Sequence, residues 1–257
     1  MAAQPLVDAT VLSSDLLGPG RLFSAVRSIA STGSTNADLA AAATAGAASG
    51  AVLVADHQSA GRGRFDRRWE APPGSSVAVS VLLRPAEVPL QRWLWLPLIT
   101  GVAVAEGLRS AAGVDATVKW PNDVLIEGRK VCGILSERVD DAAVVGMGIN
   151  TTLTHEQLPV PSATSLALEG AHCSTTEVVL GVLRALEQGY RRWVEGDDLR
   201  VWFAQRCSTI GRQVRVQQST TLSVEGPALG VDEWGRLLVR TPVGQRAFAA
   251  GDVLHLR

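Results

Sequence analysis

The stretch Ala116-Thr117-Val118-Lys119-Trp120-Pro121-Asn122-Asp123-Val124-Leu125-Ile126-Glu127-Gly128-Arg129-Lys130-Val131-Cys132-Gly133-Ile134-Leu135 consists of apolar runs cut by turn residues. Short apolar runs bounded by such breaks read as buried strands. The pattern predicts a strand over Ala116–Trp120, a turn at Pro121-Asn122-Asp123, a second short strand, and a turn at Glu127-Gly128-Arg129. Lys130–Leu135 then returns as the partner strand of a hairpin. That arrangement brings Lys119, Asn122, Asp123 and Lys130 within reach of one another, polar groups gathered on an apolar background. The same residues also fit a plain turn followed by a solvated strand end.

Upstream lies Gly61-Arg62-Gly63-Arg64-Phe65-Asp66-Arg67-Arg68-Trp69. Guanidinium groups crowded onto one loop repel one another, so the crowding makes sense if an anion sits among them. Each offers a planar fork of donors matched to phosphate or carboxylate. The glycines let the backbone approach a ligand, and Trp69 is placed to stack on a flat ring. A solvated basic turn with Trp69 in the core is the alternative. Two glycines and four mutually repelling arginines predict a segment that orders only when an anion arrives.

Around these stretches the chain reads as alternating strands and helices. A strand is expected over Leu22–Ile29, and Ser31-Thr32-Gly33-Ser34-Thr35-Asn36 opens an alanine-rich helix running to about Ala45. Ser34 or Thr35 is an N-cap, and the outward donors of a helix N-terminus also suit a polar ligand. Ala51–Ala55 is a short strand delivering Gln58, a neutral donor and acceptor, to the root of the arginine loop. Ser75–Leu83 and Val144–Asn150 are further strands. Leu90–Ala112 is helical, with kinks expected near Pro97 and Gly101. Helices follow over Thr175–Val194 and Asp198–Cys207. From Arg212 the text changes to six short alternating strands with glycine or acidic turns, a small β-barrel with its boundary near Ile210-Gly211. The division expected is a leader over 1–21, a main domain over 22–210 and a terminal β domain over 211–257.

The 257 residues carry 24 Lys and Arg against 25 Asp and Glu, a net charge of −1. No global field recruits nucleic acid or an anionic membrane, so the basic loop is a local device for a small anion. The three cysteines and four histidines are scattered without ligand spacing, which argues against a disulfide framework and a zinc site. No secretory signal or membrane span is legible, and a cytoplasmic location is expected.

Taken in order, Gly33-Ser34-Thr35-Asn36, Gln58-Ser59-Ala60-Gly61-Arg62-Gly63-Arg64, Arg67 and Trp69 form the first half of a recognisable set. Lys119-Trp120-Pro121-Asn122-Asp123, Lys130-Val131-Cys132-Gly133-Ile134-Leu135, Gly146-Met147-Gly148-Ile149-Asn150 and Ala250-Gly251-Asp252-Val253 complete it. The ordered set resembles bacterial biotin protein ligase across nearly the whole chain after residue 22. The resemblance implies an α/β (α+β) catalytic domain with a class II synthetase-like mixed sheet, followed by an SH3-like β-barrel. It implies a ligase that uses ATP and Mg2+ to make biotinyl-5′-adenylate. Biotin then passes to one lysine of a biotin carboxyl carrier domain.

Residue by residue, it places Ser34, Thr35, Asn36, Gln58 and Gly133 around biotin, with Arg62, Gly63 and Arg64 closing over biotin and the adenylate. Arg64, Arg67, Trp69, Lys119, Asn122, Asp123 and Asn150 fall on the ATP side. Lys130 contacts both the biotin carboxylate and the phosphate, and Lys130, Arg62, Arg64 and Asp123 form the catalytic set. No dedicated metal cage is implied. Asp66 stands where many relatives have glycine, and Cys132 where a small residue is usual. Some members carry a winged-helix DNA-binding domain in front; none is expected here, nor is DNA or membrane as a partner. A monomer or weak homodimer is expected. Two rivals are a lipoate or octanoyl ligase of the same superfamily and a non-catalytic module binding nucleotides or nucleic acid. The polar set Ser34, Thr35 and Gln58 favours biotin, since a lipoyl chain offers it nothing to bind.

Overall fold

A computed structural model describes residues 5–219 and 221–256. In chain order the main domain runs α1 (Ala9–Leu16), β1 (Ala25–Ile29), α2 (Thr35–Thr44), β2 (Ala51–Ala55), the small hairpin β3 (Gly61–Arg62) and β4 (Arg68–Trp69), and β5 (Ser76–Leu83). It continues with α3 (Trp95–Ala112), β6 (Ala116–Lys119), β7 (Asp123–Ile126), β8 (Arg129–Val139), β9 (Ala142–Asn150), α4 (Thr175–Val194) and α5 (Arg200–Ala204). The terminal unit holds β10 (Gln213–Gln217), β11 (Ser223–Val231), β12 (Leu237–Thr241), β13 (Gly244–Phe248) and β14 (Asp252–His255).

Seven strands form one mixed sheet in the order β1-β2-β5-β9-β8-β7-β6. Only β1 and β2 run parallel, joined through α2; every other neighbour is antiparallel. The period-2 alternation of strands assigns the two faces. Val52, Val54, Val81, Leu83, Ala143 and Val145 join the large core beneath α3 and α4, while Leu53, Leu82, Ala142 and Val144 point to the smaller core against α2. β5 lies mid-sheet and is buried along its whole length, so its sequence is almost continuously apolar.

The hairpin predicted from Ala116–Leu135 is present, with β8 longer than expected, because Ser136–Val139 continues pairing with β9. α3 is one unbroken helix preceded by a 3-10 turn over Leu90–Leu94. Pro97 falls in its first turn, where the missing N–H would have no intrahelical partner anyway, so no kink follows. α5 is shorter than the helix expected over Asp198–Cys207.

The leader segment carries α1, capped by Asp8, whose carboxylate accepts from the Thr10 N–H at 2.8 Å. Leu12 and Leu16 are fully buried in the main core, and Asp15 accepts from Arg184 Nε of α4 at 2.7 Å. Residues 1–4 and the side chain of Asp66 lie outside the described residues.

The terminal unit is a five-stranded antiparallel sheet ordered β13-β12-β11-β10-β14. Two of the six expected strands are one, because β11 runs unbroken through Gly226-Pro227. Gly226 is not a turn. A Cβ there would sit 1.8 Å from the Arg240 carbonyl oxygen, so the glycine marks close backbone approach.

Buried tryptophans of the main domain fasten this sheet: Trp95 Nε1 donates to the Glu233 carbonyl at 2.9 Å and Trp120 Nε1 to that of Gly235 at 3.2 Å. His255 Nε2 meets Thr209 Oγ1 at 3.0 Å, and Thr209 accepts from the Trp120 N–H. Among the described residues no helix is long and apolar enough to cross a membrane.

Two outcomes are expected. Leu12→Ala removes a fully buried side chain and lowers the unfolding free energy by about 2–5 kcal/mol, measured by denaturant titration. Burial, then the charges of Lys119 and Arg212, lower the His255 pKa from 6.5 to about 4. Between those values the unfolded chain holds a proton that the folded chain lacks, so stability rises with pH across that window. An NMR titration should place the His255 midpoint near 4, and His255→Asn should flatten the slope of stability with pH in that window.

Candidate active site

A cavity opens above β8 and β9, between the start of α2, the arginine loop and the first residues of β14. Its two ends differ in chemistry. At one, Ser34 caps α2 by accepting from the Ala37 N–H at 3.4 Å. The Thr35 N–H and hydroxyl donate to Gln58 Oε1 at 2.8 and 3.0 Å, which leaves the Gln58 amide group as a donor. Ser80 Oγ lies 2.7 Å from Thr35 Oγ1 and 2.6 Å from Asn36 Oδ1. This end is neutral, polar and held by fixed partners.

At the other end five cations, Arg62, Arg64, Arg67, Arg68 and Lys130, face two carboxylates, Asp123 and Asp252. The surplus is positive and local, as an anion-binding site requires. Lys130 Nζ stands 2.5 Å from Asp123 Oδ1 and 5.8 Å from the centre of the Trp69 ring. Arg64 is the least exposed of the four arginines in side-chain setting, and burial lowers its pKa against the opposing pull of Asp252 and Asp123. Its Nη1 donates to Asn122 Oδ1 at 3.0 Å and to the Gly251 carbonyl at 3.3 Å. Arg67 pairs with Asp252, and Arg62 donates to Glu137 at 3.2 Å. The arginines therefore have acceptors within the protein itself. Phe65 at the loop tip takes a left-handed backbone with φ 54°, and its ring lies under the Arg64 guanidinium at 4.7 Å.

The floor between the two ends is glycine. Cβ atoms at Gly148 and Gly146 would stand 2.5 Å from the Trp69 indole and 2.1 Å from Asn36 Oδ1. The bare backbone of β9 is what admits both side chains. Trp69 Nε1 is buried without a partner. Cys132 is fully buried beneath the floor, its thiol pKa pushed up by burial, and it fills core space.

Of the residues singled out from sequence, Ser34, Thr35, Asn36, Gln58, Arg62, Gly63, Arg64, Arg67, Trp69, Asn122, Asp123, Lys130 and Gly133 all line this cavity. Lys119 and Asn150 do not. Lys119 pairs with Asp123 and shares its face of the β6–β7 hairpin, but it lines an adjoining cleft with Arg212 and His255, which touches the first cavity through Asp123 and Lys130. Asn150 is buried and donates to the Thr164 carbonyl at 2.9 Å, tying the loop after β9. Asp252 also lines the cavity, while Ser80 and Glu137 stand behind its lining and hold Thr35, Asn36 and Arg62; the sequence does not single out these three as site residues. Ser80 and Glu137 looked like ordinary polar positions in strands, and only the pairing of distant segments brings them here.

Comparison with known proteins gives consistent matches. The model of the biotin/lipoate A/B protein ligase family matches residues 28–151, and that of the biotin protein ligase C-terminal domain matches residues 209–256. The biotin–[acetyl-CoA-carboxylase] ligase of Mycobacterium tuberculosis is 38% identical over 99% of this chain and 97% of its own length. The bifunctional ligase/repressor BirA of Bacillus spizizenii is 32% identical over 94% of this chain and 76% of its own. Among solved structures, the biotin protein ligase of Aquifex aeolicus in complex with biotin and ATP superposes with a TM-score of 0.77 at 28% identity, covering 91% of this chain and 100% of that one.

Gly148→Ala places a methyl group where the Trp69 indole sits and should drive the ring toward water. The difference in tryptophan emission between each protein and its Trp69→Phe counterpart isolates this ring. That difference spectrum should shift to the red; an unchanged one means that β9 yields instead.

Proposed function

The chain belongs to the biotin protein ligase family, and from that premise we propose how its residues divide the work. It is an ATP-dependent ligase that activates biotin as biotinyl-5′-adenylate and transfers it to a lysine of a biotin carboxyl carrier domain. The observation that carries the assignment of roles is one cavity with a neutral, hydrogen-bonding end and a strongly cationic end, joined at Lys130 and the glycine floor.

The neutral end takes the ureido ring. A cyclic urea offers two N–H donors and one carbonyl acceptor, and the hydroxyls of Ser34 and Thr35 with the Gln58 amide supply groups of both kinds. Asn36 serves from behind, since its amide is engaged with Ser80, Leu135 and Glu137. The cationic end takes the carboxylate and the triphosphate. A carboxylate oxygen attacks the α-phosphorus of ATP, the bond to the bridging oxygen of the β-phosphate breaks, and pyrophosphate leaves. Both reactants are anions, so their repulsion is the first obstacle. Lys130, Arg62 and Arg64 offset it from fixed positions, and preorganised charge of this kind is commonly the largest catalytic contribution. Holding carboxylate and phosphate together accounts for a further ~7–11 kcal/mol in well-oriented cases. Arg67, Asn122 and Trp69 border the space for the nucleotide, with Trp69 offering a face for the adenine ring.

Magnesium accompanying ATP supplies further neutralisation at the phosphates when bound. Such an ion would be carried mainly by phosphate oxygens and water, with Asp123 as the neighbouring carboxylate in the cavity lining. In the second step the acceptor lysine amine attacks the acyl carbon, the bond to the phosphate oxygen breaks, and AMP departs. Asp123 lines both the cavity and the adjoining cleft, so it is placed to receive the acceptor ammonium. The terminal β domain closes the cavity through Gly251 and Asp252. We place the enzyme in the cytoplasm, where ATP and carboxylases meet.

Incubation with biotin, MgATP and a carrier domain should label that domain at its acceptor lysine, and failure to do so would sink this reading. Lys130→Ala should slow adenylate formation by about 10²-fold or more, the usual cost of removing a group that stabilises developing charge. Biotin affinity should change far less, because the ring is held at the other end. Equal losses in both would refute this division.

A further inference from the structure

Glu137 lies on the cavity-facing side of β8, in phase with Gly133 and Leu135, yet behind the lining of the main cavity. One of its oxygens, Oε2, accepts from two segments far apart in sequence: Asn36 Nδ2 at 2.7 Å and Arg62 Nη2 at 3.2 Å. Asn36 is 5% exposed, and its amide orientation is fully specified, because Nδ2 also donates to the Leu135 carbonyl at 3.2 Å while Oδ1 faces Ser80. From Glu137 inward the polar contacts run without a break through Asn36, Ser80 and Thr35 to Gln58. From Glu137 outward there is a single step to the first arginine of the loop.

We propose that Glu137 is a positioning residue that couples the ring-binding end of the cavity to the loop, by holding the Asn36 amide and the Arg62 guanidinium on one carboxylate oxygen. This rests on the reading that the neutral end takes the biotin ring. A carboxylate is needed because a neutral acceptor cannot balance Arg62 while also accepting from Asn36. Ligand binding that stiffens Thr35 and Gln58 thereby stiffens the anchor of Arg62, and the loop is held more firmly over an occupied ring site than over an empty one. Glu137 touches neither the reacting atoms nor the substrate in this arrangement; it acts through Arg62.

The test is a double-mutant cycle of Glu137→Gln and Arg62→Ala on the intact chain, reading biotin affinity by calorimetry and hydrogen exchange over residues 61–63. Gln keeps an oxygen for Asn36 and removes the charge that holds Arg62. Because the ion pair is partly exposed, Glu137→Gln should weaken biotin binding only about threefold to fivefold, and Arg62→Ala, which removes the guanidinium itself, by at least as much. The double variant should be no weaker than Arg62→Ala alone, and Glu137→Gln should speed exchange over residues 61–63 without altering that at Leu135. Glu137→Asp, one methylene short, should recover part of the loss. Losses that simply multiply, or unchanged exchange in the loop, would overturn the coupling while leaving the biotin site intact. A wild-type protein that does not bind biotin at all would overturn the preceding reading, and this one with it.

Discussion

Four guanidinium groups within seven residues repel one another, and the fold supplies each with an acceptor drawn from a different place. Arg62 meets Glu137 of β8, Arg64 meets Asn122 and the Gly251 carbonyl, Arg67 meets Asp252, and Arg68 stands near Glu70. Most of these partners are far away in sequence, so the loop is ordered only once the sheet and the terminal domain are in place. The loop's order therefore reports on the whole molecule. Its contacts are mostly exposed and individually weak, about 0–1 kcal/mol each, so stability is not their purpose. They hold charge ready at one end of a cavity.

The same constraint explains why two domains meet where they do. A sheet with helices on both faces would bury its own core without help, but Arg64 and Arg67 reach past it to β14. The terminal unit is fixed against the main core by donors from two fully buried indoles, Trp95 and Trp120, and by the Thr209–His255 contact. A buried indole N–H needs a partner, and here the partner is backbone of the other domain. These polar contacts act together with one continuous apolar core, in which Val214, Leu237 and Phe248 join Trp95, Leu98 and Trp120, and Asp252 arrives at the cavity as a consequence.

Much of this was legible in the sequence because the informative signals are local. Strand alternation, the Pro121-Asn122-Asp123 and Glu127-Gly128-Arg129 breaks, and the Ser34 cap each depend on a few adjacent residues. The ordered motifs then carried the fold and most of the cavity lining. What was not legible depends on register or on distance. Lys119 and Asn150 belong to conspicuous motifs, but Lys119, at the end of β6 one strand further out than Asp123, borders the neighbouring cleft, and a loop carbonyl engages Asn150. Ser80 and Glu137 carry no local signal at all. The glycine turns expected between the terminal strands show the opposite case: Gly226 lies within β11 and lets two backbones pass. Repulsion among the arginines was visible in the sequence, whereas the acceptors that offset it were not.

Those acceptors also set the terms on which a ligand enters. Any phosphate that takes Arg64 or Arg67 must replace Asn122, the Gly251 carbonyl or Asp252, so the net gain per contact is a difference between two partners and not a full hydrogen bond. A neutral molecule cannot compete with a carboxylate for a guanidinium, and a lone monoanion gains little by the exchange. A ligand bearing several negative charges along one line can displace several acceptors together while keeping Lys130 and Asp123 in contact. Burial lowers the Arg64 pKa, which means that the site already carries the cost of desolvating a cation before the ligand arrives. An anion that reaches it recovers that cost, and this is the physical reason for preferring a polyphosphate at one end of a cavity whose other end is neutral.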